Sequence, residues 1–375
     1  KEEELEKAFM EAKREAGNAF GDDTIFIEKF IEDPKHIEVQ ILGDLHGNIV
    51  HLFERDCSVQ RRFQKVVEIA PAPSLRQETK DKLYTYALSL AKHVGYNNAG
   101  TVEFLVDAEE EIYFIEVNPR IQVEHTVTEE ITGIDLVRSQ ILIADGLSLH
   151  ADRINIPKQE EIKCNGFAIQ CRITTEDPQN DFKPDYGTII AYRHAGGYGI
   201  RLDEGSSYQG VKVSPFFDSM LVKITAKGRT LTGARQRMHR ALMEFRIRGV
   251  KTNILFLENV ILHPEFEKGA ATVKFIEKYP ALFQIRMRQD RGTKLLRYIA
   301  DVQVNGNPDV NKIDQSKIFQ IPQVPVYDRS KKIIPGTKQL LEDLGPEKFA
   351  DWLKAQKKVG ITDTTLRDAH QSLLA

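Results

Sequence analysis

Apolar residues recur at the spacing of an amphipathic helix in several segments of the chain. In residues 2–16 this spacing is followed by Gly17 and Asn18, which are common at helix ends, so a helix is predicted to stop there. The same spacing predicts helices over residues 79–94, 135–144, 231–245, 252–262 and 338–354, and a helical signature also covers 290–300.

Alternating or continuous apolar runs predict strands between these helices. In the N-terminal half such runs occupy residues 24–31, 36–42, 48–53, 101–106 and 112–117. Turn-forming residues separate the last four of these runs, which predicts two hairpins. From about Gly166 strands dominate, with runs at 166–173, 187–192, 199–202 and 220–226.

The composition is that of an ordinary globular protein. The 375 residues are enough for two or three domains, and 41% of them are hydrophobic and 29% charged. A net charge of -3 gives no reason to expect binding to nucleic acid or to a membrane surface. No apolar run is long enough to cross a bilayer.

The cysteines and the two ends of the chain bear on its compartment and extent. Cys57, Cys164 and Cys171 are sparse and lack metal-site spacing, which argues against a disulfide framework or a zinc site. A reducing compartment is predicted, namely the cytoplasm, or the mitochondrial matrix in a eukaryote. A missing initiator Met and a final motif that breaks off at Ala375 predict that the chain is part of a longer protein.

The polar residues around the end of the run at 112–117 carry the strongest chemical signal. In extended backbone alternate side chains point the same way. One face would then present carboxylate, amide, guanidinium, amide and carboxylate, from Glu116, Asn118, Arg120, Gln122 and Glu124. A hydrophobic core needs no such face, whereas a site that handles a cation, a phosphate and a proton does.

The second predicted hairpin brings two carboxylates together. If it closes through a four-residue loop, Asp107 lies opposite Ile112 and Glu103 opposite Glu116. Opposed carboxylates share either a proton or a cation, and with the amide of Asn118 they suit Mg²⁺ or Mn²⁺. The alternative is a solvated pair on an exposed face, and a slip of one residue would remove the pairing.

Six motifs follow one another along the chain. They are Glu28-Lys-Phe-Ile-Glu-Asp-Pro-Lys-His36, Glu54-Arg-Asp-Cys-Ser-Val-Gln-Arg-Arg-Phe-Gln-Lys-Val-Val-Glu68, Gly100-Thr-Val-Glu-Phe104, Asn118-Pro-Arg-Ile-Gln-Val-Glu-His125, Cys171-Arg-Ile-Thr-Thr-Glu-Asp-Pro178 and Phe217-Asp-Ser-Met220. As an ordered set they resemble the biotin carboxylase family over about three quarters of the chain. The resemblance implies an α/β (α+β) protein, with an ATP-grasp fold followed by a β-rich C-terminal subdomain.

The resemblance also implies which residues bind the nucleotide. Glu28, Lys29 and Ile31 would line the adenine pocket, and His36 and Gln60 would approach the sugar and phosphates. Mg²⁺ bound with ATP would be held by Glu103, Glu116 and Asn118.

The catalytic residues implied by the resemblance act on bicarbonate and biotin. Glu124 would be the general base for bicarbonate, a weak nucleophile that such a base helps, and Arg172 would contact the ureido oxygen of biotin. Taken one at a time, Lys65 and Arg172 also fit surface cations, and His36 fits an ordinary loop residue. Bicarbonate would be bound by Lys65, Arg120, Gln122 and the backbone of Val123.

The chain departs from the family pattern in two respects. Phe63 stands where the family commonly has His, so a polar nucleotide contact is lost or replaced by ring stacking. The glycine-rich lid over the ATP phosphates has no counterpart in this sequence, and Gly-rich residues 194–199 are better explained as a hairpin turn. The predicted domains are the end of the lid subdomain (1–30), the biotin carboxylase core with its C-terminal subdomain (31–286), a linker (287–360) and a barrel start (361–375).

Residues 362–375 resemble the opening of the carboxyltransferase barrel in the pyruvate carboxylase family. Asp368 would bind a second divalent metal, Mn²⁺ or Zn²⁺, and Arg367 and Gln371 would bind pyruvate. An unstructured tail is the alternative for so short a piece. The linker resembles the allosteric and tetramer-forming segment of that family, which implies a homotetramer and acetyl-CoA as an effector.

The resulting hypothesis is ATP-dependent carboxylation of biotin by bicarbonate through carboxyphosphate, the first of two half-reactions. The biotin would be attached to a carrier domain outside this chain, and pyruvate would become oxaloacetate in the second half-reaction. One alternative is a subunit of an acyl-CoA carboxylase. An alternative of another class is a non-catalytic fragment that serves oligomerisation.

Overall fold

A computed structural model describes residues 2–205, 207–216, 218–285, 291–306 and 336–361. The chain divides into two compact units, Lys1–Asp33 and Pro34–Ala375.

The first unit contains one long helix. Helix α1 spans Glu2–Phe20 and so continues past the predicted end at Gly17. It ends instead at Gly21, whose φ of 72° is the left-handed conformation that glycine adopts without strain at helix ends. The strand predicted over residues 24–31 is wrong, because that segment has no strand partner among the described residues.

The strands of the second unit include both long and very short ones. In chain order they are β1 (Lys35–Gly43), β2 (Ile49–Arg61), β3 (Gln64–Ala70), β4 (Asn98–Val106), β5 (Ile112–Asn118), β6 (Phe167–Thr174), β7 (Glu176–Asp177), β8 (Lys183–Pro184), β9 (Gly187–Thr188), β10 (Ala191–Arg193), β11 (Ile200–Glu204), β12 (Lys212–Val213), β13 (Met220–Gly228) and β14 (Arg246–Arg248). The strand predicted over 187–192 is therefore split between β9 and β10.

The ends of most predicted helices agree with the ends of the observed helices to within a few residues. They are α2 (Gln77–His93), α3 (His125–Thr132), α4 (Leu136–Ala144), α5 (Leu231–Glu244), α6 (Ile254–Leu262), α7 (Pro264–Glu267), α8 (Phe275–Lys278), α9 (Arg291–Asn305) and α10 (Thr337–Lys354). Single 3₁₀ turns lie at Gln159–Glu161, Pro178–Asn180 and Pro280–Phe283. Helix α3 was not predicted from the sequence.

Eight strands form one antiparallel sheet in the order β11-β13-β6-β3-β2-β1-β4-β5. Strand β1 lies inside this sheet and shows how the two faces differ. Ile37, Val39 and Ile41 join the hydrophobic cluster that includes residues of α2. Glu38 and Gln40, between them, are fully buried polar residues. Because neighbouring strand residues face opposite ways, the sheet has an apolar face under α2 and a polar face behind it.

The β4–β5 hairpin confirms the predicted pairing of Glu103 with Glu116. The turn differs from the prediction, because Ile112 pairs with Val106 and not with Asp107. The register shifts by one residue between Glu103 and Phe104, where β5 carries one extra residue. Because of this shift, the predicted pairing is correct at Glu103 although it is wrong at the turn.

Among the helices that the structure describes, none is both long and apolar enough to cross a membrane. The three cysteines are free thiols.

Candidate active site

Five adjacent strands contribute charged side chains to the polar face of the sheet. Glu38 on β1 pairs in register with Arg55 on β2 and with Glu103 on β4. Lys65 lies on β3 and Arg172 on β6, as expected for residues in strand-like stretches. Because the strands are neighbours, side chains from distant parts of the sequence meet within hydrogen-bond distance.

Lys65 is the central cation of this face. Its Nζ contacts a carboxylate oxygen of Glu38, lies 2.8 Å from Glu124 Oε1 and lies 3.1 Å from Glu103 Oε1. Burial lowers the pKa of Lys65, but Glu38 and Glu124 outweigh that effect and hold it well above the ordinary value. Lys65 is therefore a partly buried, charged group and not a surface cation.

Glu124 lies just before α3 and is held between two cations. Its Oε1 accepts from Lys65, and its Oε2 lies 3.1 Å from Nη2 of Arg172. Burial raises the pKa of Glu124, but Lys65 and Arg172 together bring it below the ordinary value. The carboxylate is therefore deprotonated, which is the state from which a general base starts. It becomes a stronger base when either cation turns to another anion.

Arg172 also pairs with a glutamate that the sequence reasoning did not identify. Its Nε lies 2.7 Å and its Nη2 2.6 Å from Oε1 of Glu68, which is fully buried. Burial raises the pKa of Glu68, and the charge of Arg172 opposes that shift without cancelling it. The guanidinium thus bridges Glu68 and Glu124.

The predicted metal ligands meet at the β4–β5 edge. The amide nitrogen of Asn118 donates to Glu103 Oε1 at 2.8 Å and to Glu116 Oε1 at 2.9 Å. Burial raises the pKa of Glu103, but His36 and Lys65 lower it to about 2. Two carboxylates and an amide are hard oxygen donors, which fits Mg²⁺. A metal on both carboxylates requires the Asn118 amide to turn its oxygen inward.

His36 and Gln60 lie beside the same cluster. His36 Nε2 is 2.7 Å from Glu103 Oε2, and its Nδ1 is 3.0 Å from the amide nitrogen of Gln60. Burial lowers the pKa of His36, but Glu103 and Glu38 raise it to about 9. A protonated ring donates from both nitrogens, so Gln60 must then offer its amide oxygen to Nδ1.

The backbone after β5 differs from the extended face predicted for residues 116–124. The strand ends at Asn118, before Pro119, and residues 123–124 form a turn leading into α3. Gln122 still reaches the cluster, and its amide nitrogen lies 2.6 Å from Glu103 Oε1. Arg120 instead donates to the carbonyl of Ile121, and within the described residues no carboxylate pairs with it. Its guanidinium is therefore available to bind an anion.

Lys223 is a further cation that the sequence reasoning missed. It faces Arg172 across the β13–β6 pairing and donates to the carbonyl of Val123 at 3.0 Å. Burial lowers its pKa, and Arg172 acts in the same direction against the charge of Asp203. A Lys in a strand beside a known motif is the only signal that the sequence offers for it.

Other residues that the sequence singled out are not members of this hydrogen-bonded cluster. Phe63, which departs from the family pattern and was not predicted as a site residue, is 95% exposed at the tip of the β2–β3 turn. Glu28, Lys29 and Ile31 belong to the first unit, in the segment after α1. Arg367, Asp368, Gln371 and Phe217, and with them the predicted barrel strand, lie outside the described residues.

Comparison with known families places these residues in context. Residues 1–152 match the ATP-binding domain of the carbamoyl-phosphate synthase L chain. Residues 170–278 match the biotin carboxylase C-terminal domain. The chain thus contains domains of the biotin carboxylase type. Its ATP-grasp fold and β-rich C-terminal subdomain agree with that assignment.

Among biotin carboxylases the whole chain matches the corresponding region of pyruvate carboxylases. It is 55% identical to the pyruvate carboxylase of Bacillus subtilis over 374 residues, which are 100% of this chain and 32% of that protein. It is 52% identical to the mitochondrial pyruvate carboxylase of Rattus norvegicus over 376 residues, 100% of this chain and 31% of that one. The chain thus spans about a third of the length of these relatives.

Solved structures of biotin carboxylases show the same relationship. A pyruvate carboxylase from Rhizobium etli, solved with the allosteric activator acetyl coenzyme A, is 55% identical with a TM-score of 0.74, over 97% of this chain and 32% of that one. The biotin carboxylase domain of a thermophilic 2-oxoglutarate carboxylase, bound to bicarbonate, is 45% identical with a TM-score of 0.71, over 76% of this chain and 63% of that one.

Proposed function

We propose that this chain catalyses the ATP-dependent carboxylation of biotin with bicarbonate, the first half-reaction of pyruvate carboxylase. The observation that carries the proposal is the buried carboxylate of Glu124 between the cations of Lys65 and Arg172. Similar structures bound to bicarbonate, or to ADP, magnesium and bicarbonate, support the choice of substrates.

Bicarbonate would bind where the cluster offers positive charge and N–H donors. Lys65 supplies a fixed charge, Gln122 an amide donor and Arg120 a guanidinium that pairs with no described carboxylate. The backbone of Val123 adds to this set. An anion bound there competes with Glu124 for Lys65, which raises the basicity of Glu124 when substrate is present.

Glu124 then takes the proton of bicarbonate, so that a bicarbonate oxygen attacks the γ-phosphorus of ATP. ADP leaves and carboxyphosphate forms. The carboxyl group passes to the ureido nitrogen of biotin, and inorganic phosphate is released with the proton that biotin gives up. Arg172 contacts the ureido oxygen and stabilises the negative charge that develops there.

The resemblance to biotin carboxylases assigns nucleotide contacts to five residues. Glu28, Lys29 and Ile31 line the adenine pocket, and His36 and Gln60 approach the sugar and phosphates. Glu103, Glu116 and Asn118 would hold Mg²⁺, which neutralises phosphate charge when it is bound.

Replacing Glu124 tests the proposal. In the intact protein Glu124→Gln is expected to abolish bicarbonate-dependent ATP cleavage, because the amide cannot accept the proton. Nucleotide binding, measured by calorimetry, should persist. Glu130→Gln, at a residue on the helix that follows Glu124, is the control. Turnover retained by Glu124→Gln would rule out its role as base, and no bicarbonate-dependent cleavage in the native protein would favour the non-catalytic alternative.

We further propose that the intact protein carries the carboxyl group to pyruvate and forms oxaloacetate. A biotin carrier domain, a homotetramer and a second metal near Asp368 belong to this proposal, with Arg367 and Gln371 as pyruvate ligands. The names of the full-length relatives favour this over an acyl-CoA carboxylase. Oxaloacetate formed from pyruvate, and not carboxylation of an acyl-CoA, is the expected result.

An effector resembling acetyl-CoA is also proposed. The R. etli relative was solved with that activator, which supports the proposal. Activation of oxaloacetate formation by added acetyl-CoA would support this proposal, and an unchanged rate would count against it.

A further inference from the structure

Arg55 on β2 is the most completely bonded charged side chain in the active-site cluster. It is 0% exposed and is the largest fully buried side chain of the described residues. Its three nitrogens lie within hydrogen-bond distance of five side chains, those of Glu38, Gln40, Thr101, Gln122 and Thr128. A guanidinium has donors only, so it fixes the orientation of every group that it contacts.

The contact with Gln122 decides which end of that amide faces the substrate. Arg55 Nη2 lies 2.7 Å from Gln122 Oε1, so the oxygen is turned toward β2. The amide nitrogen must then point the other way, where it lies 2.6 Å from Glu103 Oε1. The guanidinium of Arg55 and the carboxylate of Glu103 therefore hold the amide in this orientation together, and loss of Arg55 removes one of these two constraints.

The contact with Glu38 divides that carboxylate between two cations. Arg55 takes Oε2, at 3.0 Å from Nη2 and 3.2 Å from Nε. Lys65 contacts Oε1. Burial disfavours the charge of Arg55, but Glu38 and Glu124 more than compensate, and its pKa is raised. Arg55 therefore holds one oxygen of Glu38 and shares its charge with Lys65, which leaves Lys65 able to turn to a second anion.

We propose that Arg55 is a positioning residue of the bicarbonate site, which fixes the amide of Gln122 and one oxygen of Glu38 so that Gln122 and Lys65 both present donors to the anion. This inference rests on the proposed function, because it requires bicarbonate as the ligand of these donors. Arg55 itself lies behind its partners and does not touch the substrate.

The variant Arg55→Lys tests the inference in the intact protein. It keeps the charge but replaces a planar fork with a single ammonium, which cannot hold Glu38 and Gln122 together. The KM for bicarbonate in bicarbonate-dependent ATP cleavage is expected to rise about tenfold, because small misplacements of binding groups are costly. The KM for MgATP should stay within about twofold.

Arg235→Lys is the matched control. Arg235 also has a largely buried side chain, 13% exposed, but it pairs with Glu267 and the carbonyl of Ile261, which are not members of the cluster. Both kinetic constants should be unchanged in this variant. A general loss of stability, seen as a lower Tm without a change in KM, is what a purely structural role of Arg55 would produce.

A double-mutant cycle separates positioning from bulk structure. If Arg55 acts through Gln122, Arg55→Lys should raise the bicarbonate KM less than about threefold when Gln122 is already Ala. An equal factor in both backgrounds would overturn the inference. An unchanged bicarbonate KM for Arg55→Lys in the native background would overturn it as well.

A second variant covers the case in which Arg55→Lys does not fold. Thr128→Val leaves Arg55 in place but removes the hydroxyl that lies 3.0 Å from its Nη1. The bicarbonate KM should then rise about two- to threefold, and no rise would overturn the inference. If the native protein showed no bicarbonate-dependent ATP cleavage, the proposed function would fail first and this inference with it.

Discussion

Glu38 illustrates why the active-site cluster tolerates so many buried charges. It is fully buried, yet its two oxygens face Lys65, Arg55 and His36. Burial raises the pKa of Glu38, but these cations outweigh it and keep the group ionised. Removing any one cation leaves part of the charge uncompensated, which is strongly destabilising in a buried site.

The sequence pointed to most of the side chains in this cluster but not to the charges behind them. Lys65, Glu103, Glu124 and Arg172 were identified through the family motifs, and the structure brings them together. Glu38, Arg55 and Glu68 were missed, because a charged residue within an apolar strand gives no sign of its partner. Only the strand order, which places β1, β2 and β3 side by side, makes those partners visible.

The raised pKa of His36 predicts a stability that depends on pH. Its pKa rises from 6.5 in the unfolded chain to about 9 in the folded protein, because Glu103 and Glu38 favour the charged ring. A raised folded-state pKa gives stability that is complete below pH 6.5 and is lost as the pH rises through about 9. The loss amounts to about 3 kcal/mol at most.

Urea unfolding at pH 6 and at pH 9.5 measures this effect. The native protein is expected to lose stability between the two values, and His36→Gln should largely lack that loss. His93→Gln, at an exposed residue at the end of α2, is the control and should behave like the native protein. A pH dependence that is the same in His36→Gln and in the native protein would contradict the assignment.

At the scale of elements, the β4–β5 hairpin shows both the strength and the limit of pattern reasoning. A prediction that assumed one continuous ladder placed Glu103 opposite Glu116, and the structure contains that pairing. The turn was wrong by one residue and a bulge compensates for it, which no periodic pattern predicts. After Pro119 the backbone is no longer a strand, so Gln122 and Glu124 reach the cluster from the turn before α3.

Because β5 lies at the edge of the sheet, replacing Glu116 tests the metal site with little effect on the fold. Its side chain is exposed, so Glu116→Gln should leave the fold intact. The Mg²⁺ concentration needed for half-maximal ATP cleavage is expected to rise roughly tenfold or more, because one charged ligand is lost. Glu111→Gln, an exposed glutamate in the turn of the same hairpin, should leave the requirement unchanged. Identical requirements for both variants would remove Glu116 from the ligand set.

At the scale of the whole molecule, the site residues are divided between the two units. Every member of the hydrogen-bonded cluster, from His36 to Lys223, lies in the second unit, whereas the three adenine residues lie in the first. The sequence predicted α2, α4 and α5 well, since their apolar faces pack against the sheet. It failed for residues 24–31, where an apolar run has no strand partner in the described chain.

The second unit is therefore predicted to fold without the first. All eight strands of the sheet begin after Pro34, and the hydrophobic clusters draw their buried residues from positions beyond it. A protein that lacks residues 1–33 is therefore expected to keep its far-ultraviolet circular dichroism per residue and a cooperative thermal transition. It should have lost ATP cleavage, because Glu28, Lys29 and Ile31 are absent. The undeleted protein is the reference, and loss of the cooperative transition on deletion would show that the first unit is needed for the sheet to fold.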